Sequence, residues 1–131
     1  MKNCLIIGAS HAAAQLCVSL RQNGWTGAIT LIGDEEALPY HRPPLSKEFL
    51  AGAKSLDEIL IRPQSAYDDM GVSLKLGTRV SAINPSAKTV VTDTGESLSY
   101  DTLVLTTGAR VRRLPISGQD LPNVFYLRDK A

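Results

Sequence analysis

A glycine-containing turn near the start of the chain most restricts what this sequence can form. Residues 6–13, IIGASHAA, have the outline of the dinucleotide-binding pattern G-x-G-x-x-G/A, in which a strand passes through a tight turn into a helix. Gly8 suits the tight turn, and Ala13 still lets the helix pack closely against the strand. Ser10 occupies the place of the middle glycine, where its Cβ narrows the approach of a ligand and its hydroxyl could donate to a phosphate oxygen. The segment alone therefore fits either a nucleotide site or a strand that simply continues into a helix.

The residues around this turn predict a β-α-β unit with parallel, adjacent strands. Apolar runs over residues 4–7 and 28–32 predict two buried strands, and a helix is predicted over residues 10–23, with Gly24 at its end. Asp34 follows the second strand, where an acid can accept hydrogen bonds from an adenosine ribose. Its charge would repel a 2′-phosphate. The unit therefore favours an unphosphorylated adenosine diphosphate moiety, which FAD and NAD both contain.

The rest of the chain departs from a simple alternation of strands and helices. Prolines favour an extended backbone over residues 38–44. Residues 103–105 form an unbroken apolar run, which is typical of a buried strand in a parallel sheet. Residues 129–131 look like the start of a helix, so we expect the chain to be the N-terminal portion of a longer protein. The other predicted elements are short helices over 45–50 and 63–70, strands over 72–76, 79–83 and 124–127, and a hairpin over 89–100 that leaves the parallel sheet.

Composition argues against several classes of function. The formal net charge of +1, without a long run of like charges, gives no electrostatic basis for binding nucleic acid. Cys4 and Cys17 lie in a predicted strand and a predicted helix and form no C-x-x-C pattern, so a redox dithiol is not supported. The N-terminal apolar run is too short for a signal peptide or a membrane span, so we expect a cytoplasmic protein with no membrane partner.

Five segments together resemble a known family. The segments IIGASHAA, LIGDE, LPYHRPPLSKEFL, YDTLVLTTGARVRRLP and VFYLRD are similar to the FAD-binding part of the ferredoxin and rubredoxin reductases of oxygenase systems, to which apoptosis-inducing factor is related. The segments occur in the family's order and cover essentially the whole chain. The R-P-P-L-S-K stretch is far more specific than the glycine pattern.

The resemblance implies an α/β fold: a glutathione-reductase-like, Rossmann-type FAD-binding domain whose parallel sheet carries an inserted antiparallel hairpin. Residues 1–131 would be the first segment of that domain. The rest of the FAD domain, an NAD(P)-binding domain and a C-terminal interface domain would lie outside this chain. The implied activity is electron transfer from NAD(P)H through FAD to a ferredoxin or rubredoxin, and the segment alone is expected to be inactive. No catalytic acid or base is identifiable, because the flavin carries the chemistry.

The resemblance also implies which residues bind the cofactor. The glycine turn would hold the pyrophosphate, Asp34 with Glu35 the adenosine ribose, and the basic residues of the R-P-P-L-S-K stretch the flavin and its phosphates. Val80 would lie near the adenine. No metal site is expected. The complete set is Gly8, Ala9, Ser10, His11, Ala12, Ala13, Asp34, Glu35, Arg42, Pro43, Lys47, Val80, Thr107, Gly108 and Arg128.

Some features depart from the family pattern or leave alternatives open. Besides Ser10, Thr106 stands where the family usually has alanine. His11 is expected to have a local role at the start of its helix. The arginines at 110, 112 and 113 favour a solvated loop over a docking surface for ferredoxin. Two other functions remain open: a non-enzymatic or redox-sensing flavoprotein of the apoptosis-inducing-factor type, and an NAD-binding dehydrogenase domain.

Overall fold

The computed structural model, which describes residues 2–131, is built around a parallel sheet. In spatial order its four strands are β3 (Val72–Lys75), β2 (Ala28–Ile32), β1 (Asn3–Ile7) and β7 (Thr102–Leu105). The last residue of β1, Ile7, pairs with the last residues of both neighbours, Ile32 and Leu105. The chain that leaves β1 therefore emerges between the carboxyl ends of two other strands. This arrangement confirms the predicted β-α-β unit and the place of residues 103–105 in the buried sheet.

Helix α1 (His11–Gln22) connects β1 to β2 and lies close to the sheet. Its buried side chains are small, Ala13, Ala14 and Cys17, so the helix backbone can approach the strands. Ser10 precedes the helix, and its carbonyl accepts a hydrogen bond from Ala14 N at 2.9 Å. The left-handed backbone of Gly24, with φ of +91°, follows the helix end where a glycine was predicted.

A small antiparallel sheet is inserted between β3 and β7. Its strands are β4 (Val80–Asn84), β5 (Thr89–Thr92) and β6 (Ser97–Ser99), in the spatial order β4-β5-β6. The predicted hairpin is confirmed as β5 and β6, and the predicted strand over 79–83 is confirmed as the third member. The segment inserted between β3 and β7 is therefore a three-stranded sheet rather than a hairpin alone.

Both faces of β1 are buried, which explains its unbroken apolar sequence. Cys4 and Ile6 belong to the core cluster on the side of α1. Leu5 and Ile7 face the other way, because side chains alternate along a strand, and there they pack with Val90 of β5. The antiparallel sheet thus supplies the second cover for the parallel one.

The proline-rich region is only partly as predicted. It contains a 3-10 turn, Pro43–Ser46, followed by further turns, so the helix predicted over 45–50 is wrong. Lys47, with φ of −129° and ψ of −109°, leaves the helical conformation directly after that turn. Helix α2 (Leu56–Ile59) was not predicted, although Ser55 and Glu58 form a capping box visible in the sequence as S-x-x-E. Helix α3 (Gln64–Asp69) confirms the helix predicted over 63–70.

The strand predicted over residues 124–127 is wrong. Within the described chain these residues pair with no strand, and Phe125 is 85% exposed. Apolar, β-branched and aromatic residues favour a strand, but a strand also needs a neighbour for its backbone hydrogen bonds. None of the other described strands provides one at this position.

The helices of the described residues are short. The longest, α1, has 12 residues, and no helix in residues 2–131 is long and apolar enough to cross a membrane.

Tyr67 allows a test of the core that separates packing from hydrogen bonding. Its side chain is fully buried, burial raises the pKa of its phenol to about 12, and its hydroxyl has no hydrogen-bond partner in the described part of the chain. An unsatisfied buried hydroxyl costs about 1–3 kcal/mol. We therefore expect Tyr67→Phe to leave the free energy of unfolding unchanged or to raise it by about 1 kcal/mol, as measured by urea denaturation. A clear decrease would contradict this assignment.

Candidate functional site

A groove opens where the carboxyl ends of the parallel strands meet. It consists of two cavities of about 360 and 730 Å³. The cavities share the glycine turn at Gly8, the acids after β2, and Thr107 with Gly108 after β7. Ligands of open parallel sheets bind at this edge, so the groove is the strongest candidate site in the described residues.

The turn after β1 is held against the segment after β7. Gly8 N donates to Ile32 O at 2.8 Å, and Thr106 N donates to Ile7 O at 2.8 Å. Gly8 has φ of +105°, and a Cβ added there would overlap the Thr106 carbonyl and lie 2.8 Å from the Thr107 Cα. The predicted need for glycine at this turn is therefore explained by both conformation and space.

The threonine at 106 has a structural role in this turn. Its hydroxyl donates to Gly8 O at 2.7 Å, a hydrogen bond that an alanine at the same position would lack. Gly33 closes the turn from the other side, because a Cβ added to it would lie 2.6 Å from the Ala9 Cβ. Both residues line the smaller cavity, and sequence reasoning did not place either of them in the site. The available signal for Gly33 was its position directly after β2.

The two adjacent acids of the groove have different surroundings. The Asp34 side chain is 67% exposed and faces Arg79 Nη1 at 3.9 Å, a separation that contributes little binding energy in solvent. The Glu35 side chain is only 23% exposed. Its carboxylate accepts from Arg42 Nη2 at 2.9 Å and from the Tyr40 hydroxyl at 2.7 Å. Asp34 is thus open to a ligand, whereas Glu35 is engaged in the protein's own network.

Arg42 bridges the acid side of the groove to the glycine turn. Besides Glu35, its guanidinium donates to Tyr40 Oη at 3.1 Å, Arg128 O at 2.9 Å and Ser10 Oγ at 3.4 Å. A guanidinium has five N–H groups, so these contacts leave one, on Nη2, for a ligand. Arg42, one of the basic residues predicted to hold the flavin and its phosphates, is therefore mostly occupied by protein acceptors.

The structure brings most of the predicted site residues into one groove. Three predicted residues do not line it: Ala13 is on the buried face of α1, Pro43 is exposed, and Lys47 lies outside both cavities. The exposed Lys47 Nζ donates to Pro43 O at 3.3 Å and lies 3.4 Å from Ser46 Oγ. The predicted residues that line the groove are Gly8, Ala9, Ser10, His11, Ala12, Asp34, Glu35, Arg42, Val80, Thr107, Gly108 and Arg128.

Several residues of the larger cavity were not predicted as site residues. Arg110 and Arg113 belong to the exposed loop expected from the sequence, yet both line this cavity, and the Arg113 guanidinium also lies 4.9 Å from the centre of the Tyr126 ring. Arg79 directly precedes Val80, which was predicted to lie near the adenine. This position in the sequence was the signal that could have identified Arg79 as a site residue. The unpredicted lining residues of the larger cavity are Ile7, Ile32, Thr78, Arg79, Ala109, Arg110, Val111, Arg113 and Asp129.

The groove is suited to a negatively charged group. The N-terminal end of α1 faces the smaller cavity, and no acidic residue lies in the first turn of the helix. Free N–H groups and the positive end of the helix dipole favour an anion there. The larger cavity is also lined by five arginines and three carboxylates, whereas the smaller cavity has two of each. Phosphates are therefore the ligand groups that the site fits best.

The two histidines of the chain meet at the edge of the smaller cavity. His11 Nε2 lies 3.3 Å from His41 Nδ1, so one imidazole donates to the other. Burial is the largest cause that lowers the pKa of His11, followed by His41 and Arg42. No group of three or more metal-ligating side chains occurs in residues 2–131. His11 therefore contacts the second histidine of the chain and also lines the smaller cavity.

Comparison with known proteins finds a family of oxidoreductases and relatives that are named reductases. Residues 2–130 match the pyridine nucleotide-disulphide oxidoreductase family. A ferredoxin–NAD(P)+ reductase from a Sphingomonas species is 45% identical over 97% of this chain and 31% of its own length. Putidaredoxin reductase from Pseudomonas putida is 41% identical over 96% of this chain and 31% of its own length. The chain thus spans about a third of the length of the curated relatives it matches.

Solved structures agree with the fold. A ferredoxin reductase from Rhodopseudomonas palustris superimposes with a TM-score of 0.91 at 39% identity, over 99% of this chain and 32% of that one. Putidaredoxin reductase in its covalent complex with putidaredoxin gives a TM-score of 0.82 at 40% identity, over 89% of this chain and 28% of that one. The α/β fold with a parallel sheet and an inserted antiparallel one is therefore confirmed.

Gly8→Ala should strongly destabilise the protein, because the new side chain would adopt a left-handed conformation and overlap the Thr106 backbone. We expect a loss of about 3 kcal/mol or more in the free energy of unfolding, measured by urea denaturation. Gly95→Ala is the matched control: its φ is +86°, but no atom lies within 4 Å of the added Cβ. The control should lose only about 1 kcal/mol, and equal losses would contradict the importance of the close approach.

His11 should titrate below its ordinary pKa of 6.5, as followed by NMR of its imidazole signals. Because its folded-state pKa is lowered, the stability it contributes is present above pH 6.5 and is lost as the pH falls through the lowered pKa. His41→Gln should raise the His11 pKa only part of the way, since burial is the larger cause. A full return to 6.5 in that variant would contradict this order of causes.

Proposed function

The chain belongs to the pyridine nucleotide-disulphide oxidoreductase family, and from this we propose that residues 1–131 are the first segment of its FAD-binding domain. The whole protein would be an NAD(P)H-dependent oxidoreductase that passes electrons through FAD to a ferredoxin or rubredoxin. The observation that carries the proposal is the groove, in which a glycine turn, a helix N-terminus and an exposed acid converge at the ends of parallel strands.

The residues of the groove fit the adenosine diphosphate part of FAD. The space that a Cβ at Gly8 would fill lets the turn pass close to the pyrophosphate, and α1 directs its N-terminal end toward the same place. Asp34 would accept hydrogen bonds from the ribose. Val80, in the larger cavity, would lie against the adenine. The remaining N–H of Arg42 would reach a phosphate oxygen, so that this arginine both stabilises the wall of the groove and binds the cofactor.

The residues after β7 and the flavin end complete the proposed site. Thr107, Gly108 and Arg128 line the same groove as the glycine turn. Lys47 and Pro43 would meet the flavin where the cofactor extends beyond the groove. Lys47 supports this role because its ammonium is exposed and makes only long contacts to protein oxygens. FAD bound here would supply the chemistry of accepting a hydride and of transferring single electrons, while these residues would bind and orient it.

The expected partners follow from the same assignment. Relatives that are 40% or more identical to this chain are named reductases of ferredoxin, putidaredoxin and rubredoxin. These names support an iron–sulfur or rubredoxin acceptor. NAD(P)H would bind in a domain outside this chain, which alone would be inactive. We propose a cytoplasmic location, since the two buried, unpaired cysteines suit a reducing compartment.

Disulfide exchange within this segment is disfavoured by the state of its thiols. Cys4 and Cys17 are both buried, and burial raises the pKa of Cys17 to about 11. A thiol with a raised pKa stays protonated at neutral pH and is a poor nucleophile. The electrons would therefore leave the flavin without passing through these cysteines.

The visible spectrum of the full-length protein tests this function. We expect flavin absorption, release of FAD on denaturation, and steady NADH- or NADPH-driven reduction of a ferredoxin or rubredoxin. Asp34→Asn should weaken FAD binding by about tenfold, since it removes a charged acceptor from the ribose, whereas Asp69→Asn, an exposed acid on α3, should not.

Three outcomes would contradict the proposal in different ways. No flavin spectrum and no binding of added FAD would exclude the FAD site, and binding of NAD in its place would favour a dehydrogenase domain. FAD binding with slow turnover and a long-lived charge-transfer complex would favour a redox-sensing flavoprotein.

A further inference from the structure

Tyr40 is a buried residue outside the groove that contacts two of the lining residues and the backbone of a third residue. The side chain is 2% exposed and lines neither cavity. Its hydroxyl donates to Glu35 Oε2 at 2.7 Å and accepts from Arg42 Nη1 at 3.1 Å and from Lys130 N at 3.0 Å. A phenol has one hydrogen to donate and two acceptor positions, so every hydrogen-bonding position of this hydroxyl is used.

These contacts determine where the Arg42 guanidinium lies. The guanidinium carbon is 4.9 Å from the centre of the Tyr40 ring, and the Arg42 side chain is 23% exposed. Glu35, itself held by Tyr40, accepts from the other side of the guanidinium. A planar group held by several fixed acceptors keeps one orientation, and the direction of its Nε–H is thereby set.

That Nε–H meets Ser10, the residue in place of the middle glycine. Ser10 Oγ accepts from Arg42 Nε at 3.4 Å, and the Ser10 side chain makes no capping hydrogen bond to α1. A hydroxyl that accepts from a cation keeps its own hydrogen for another acceptor. Because Ser10 lines the smaller cavity beside the N-terminus of α1, an anion in that cavity is the available acceptor.

We propose that Tyr40 is a positioning residue of the nucleotide site: through Arg42 it directs the Ser10 hydroxyl to donate a hydrogen bond to a phosphate oxygen of the dinucleotide. This inference rests on the proposed FAD-binding function. Ser10 thus replaces the close backbone approach of a glycine with a side-chain donor beside a positive charge. The pKa of Tyr40 is raised to about 12, first by burial and then by its hydrogen bond to Glu35, so it remains a donor at neutral pH.

The test uses the full-length protein, freed of its cofactor and titrated with FAD by quenching of flavin fluorescence. Tyr40→Phe should bind FAD about tenfold more weakly, the loss expected when a hydrogen bond to charged groups is removed. Tyr67→Phe is the matched control: it also removes a phenolic hydroxyl from a buried tyrosine, but one without a partner in the described chain. Its affinity for FAD should stay within about twofold of the unmodified protein.

A double-mutant cycle separates positioning from a general structural effect. If Tyr40 acts through Arg42 on Ser10, the loss in Tyr40→Phe combined with Ser10→Ala should be well below the product of the two single losses. Independent, multiplicative losses would overturn the proposal, as would equal affinities of Tyr40→Phe and Tyr67→Phe. If Tyr40→Phe does not fold, the same cycle with Glu35→Gln in its place tests the same coupling through Arg42.

The outcomes distinguish this inference from the proposed function. If the unmodified full-length protein binds no FAD, the proposed function is wrong and this inference fails with it. If it binds FAD but the cycle shows no coupling, the positioning role alone is wrong.

Discussion

The close approach of two backbone segments, at Gly8 and Thr106, is the constraint on which the rest of the site depends. It requires a residue without Cβ in a left-handed conformation, and it is stabilised by hydrogen bonds from Gly8 N to Ile32 and from the Thr106 hydroxyl to Gly8. Because β1 lies between β2 and β7, this contact joins the ends of three strands. The groove lies at that junction, so its glycine turn is held by backbone contacts at the ends of the sheet strands.

Which charges in the groove are open to a ligand depends on the burial of each side chain as well as on its residue type. Asp34 and Glu35 are neighbours with the same chemistry, yet one side chain is 67% exposed and the other 23%. The more buried acid, Glu35, neutralises Arg42. Without this partner, burial of the Arg42 charge between the turn and the proline-rich segment would be costly. The exposed acid keeps its acceptors for a ligand. One acid thus forms an ion pair in the wall of the groove, and the other carboxylate remains exposed.

Secondary structure was predicted correctly where it depends on a local pattern of residues, and wrongly where a strand needed a neighbouring strand. The β-α-β unit, the hairpin and helix α3 follow from periodicity and from glycine or proline at element ends, and the structure confirms them. Residues 124–127 have strand-forming side chains but no neighbouring strand in the described chain. Helix α2 was missed despite its capping box, because four residues are too few for a periodic signal.

The sequence by itself determined the nucleotide-type turn, the order of the elements and the resemblance to a flavin-linked reductase family, since each depends on residues close together in the chain. Only the tertiary structure decided that Arg42 braces the groove, that Tyr40 holds it in place and that Lys47 lies outside. Arg42 meets Ser10 across 32 positions, and Tyr40 meets Lys130 across 90. Contacts between such distant residues depend on how the chain packs, and no local pattern records them.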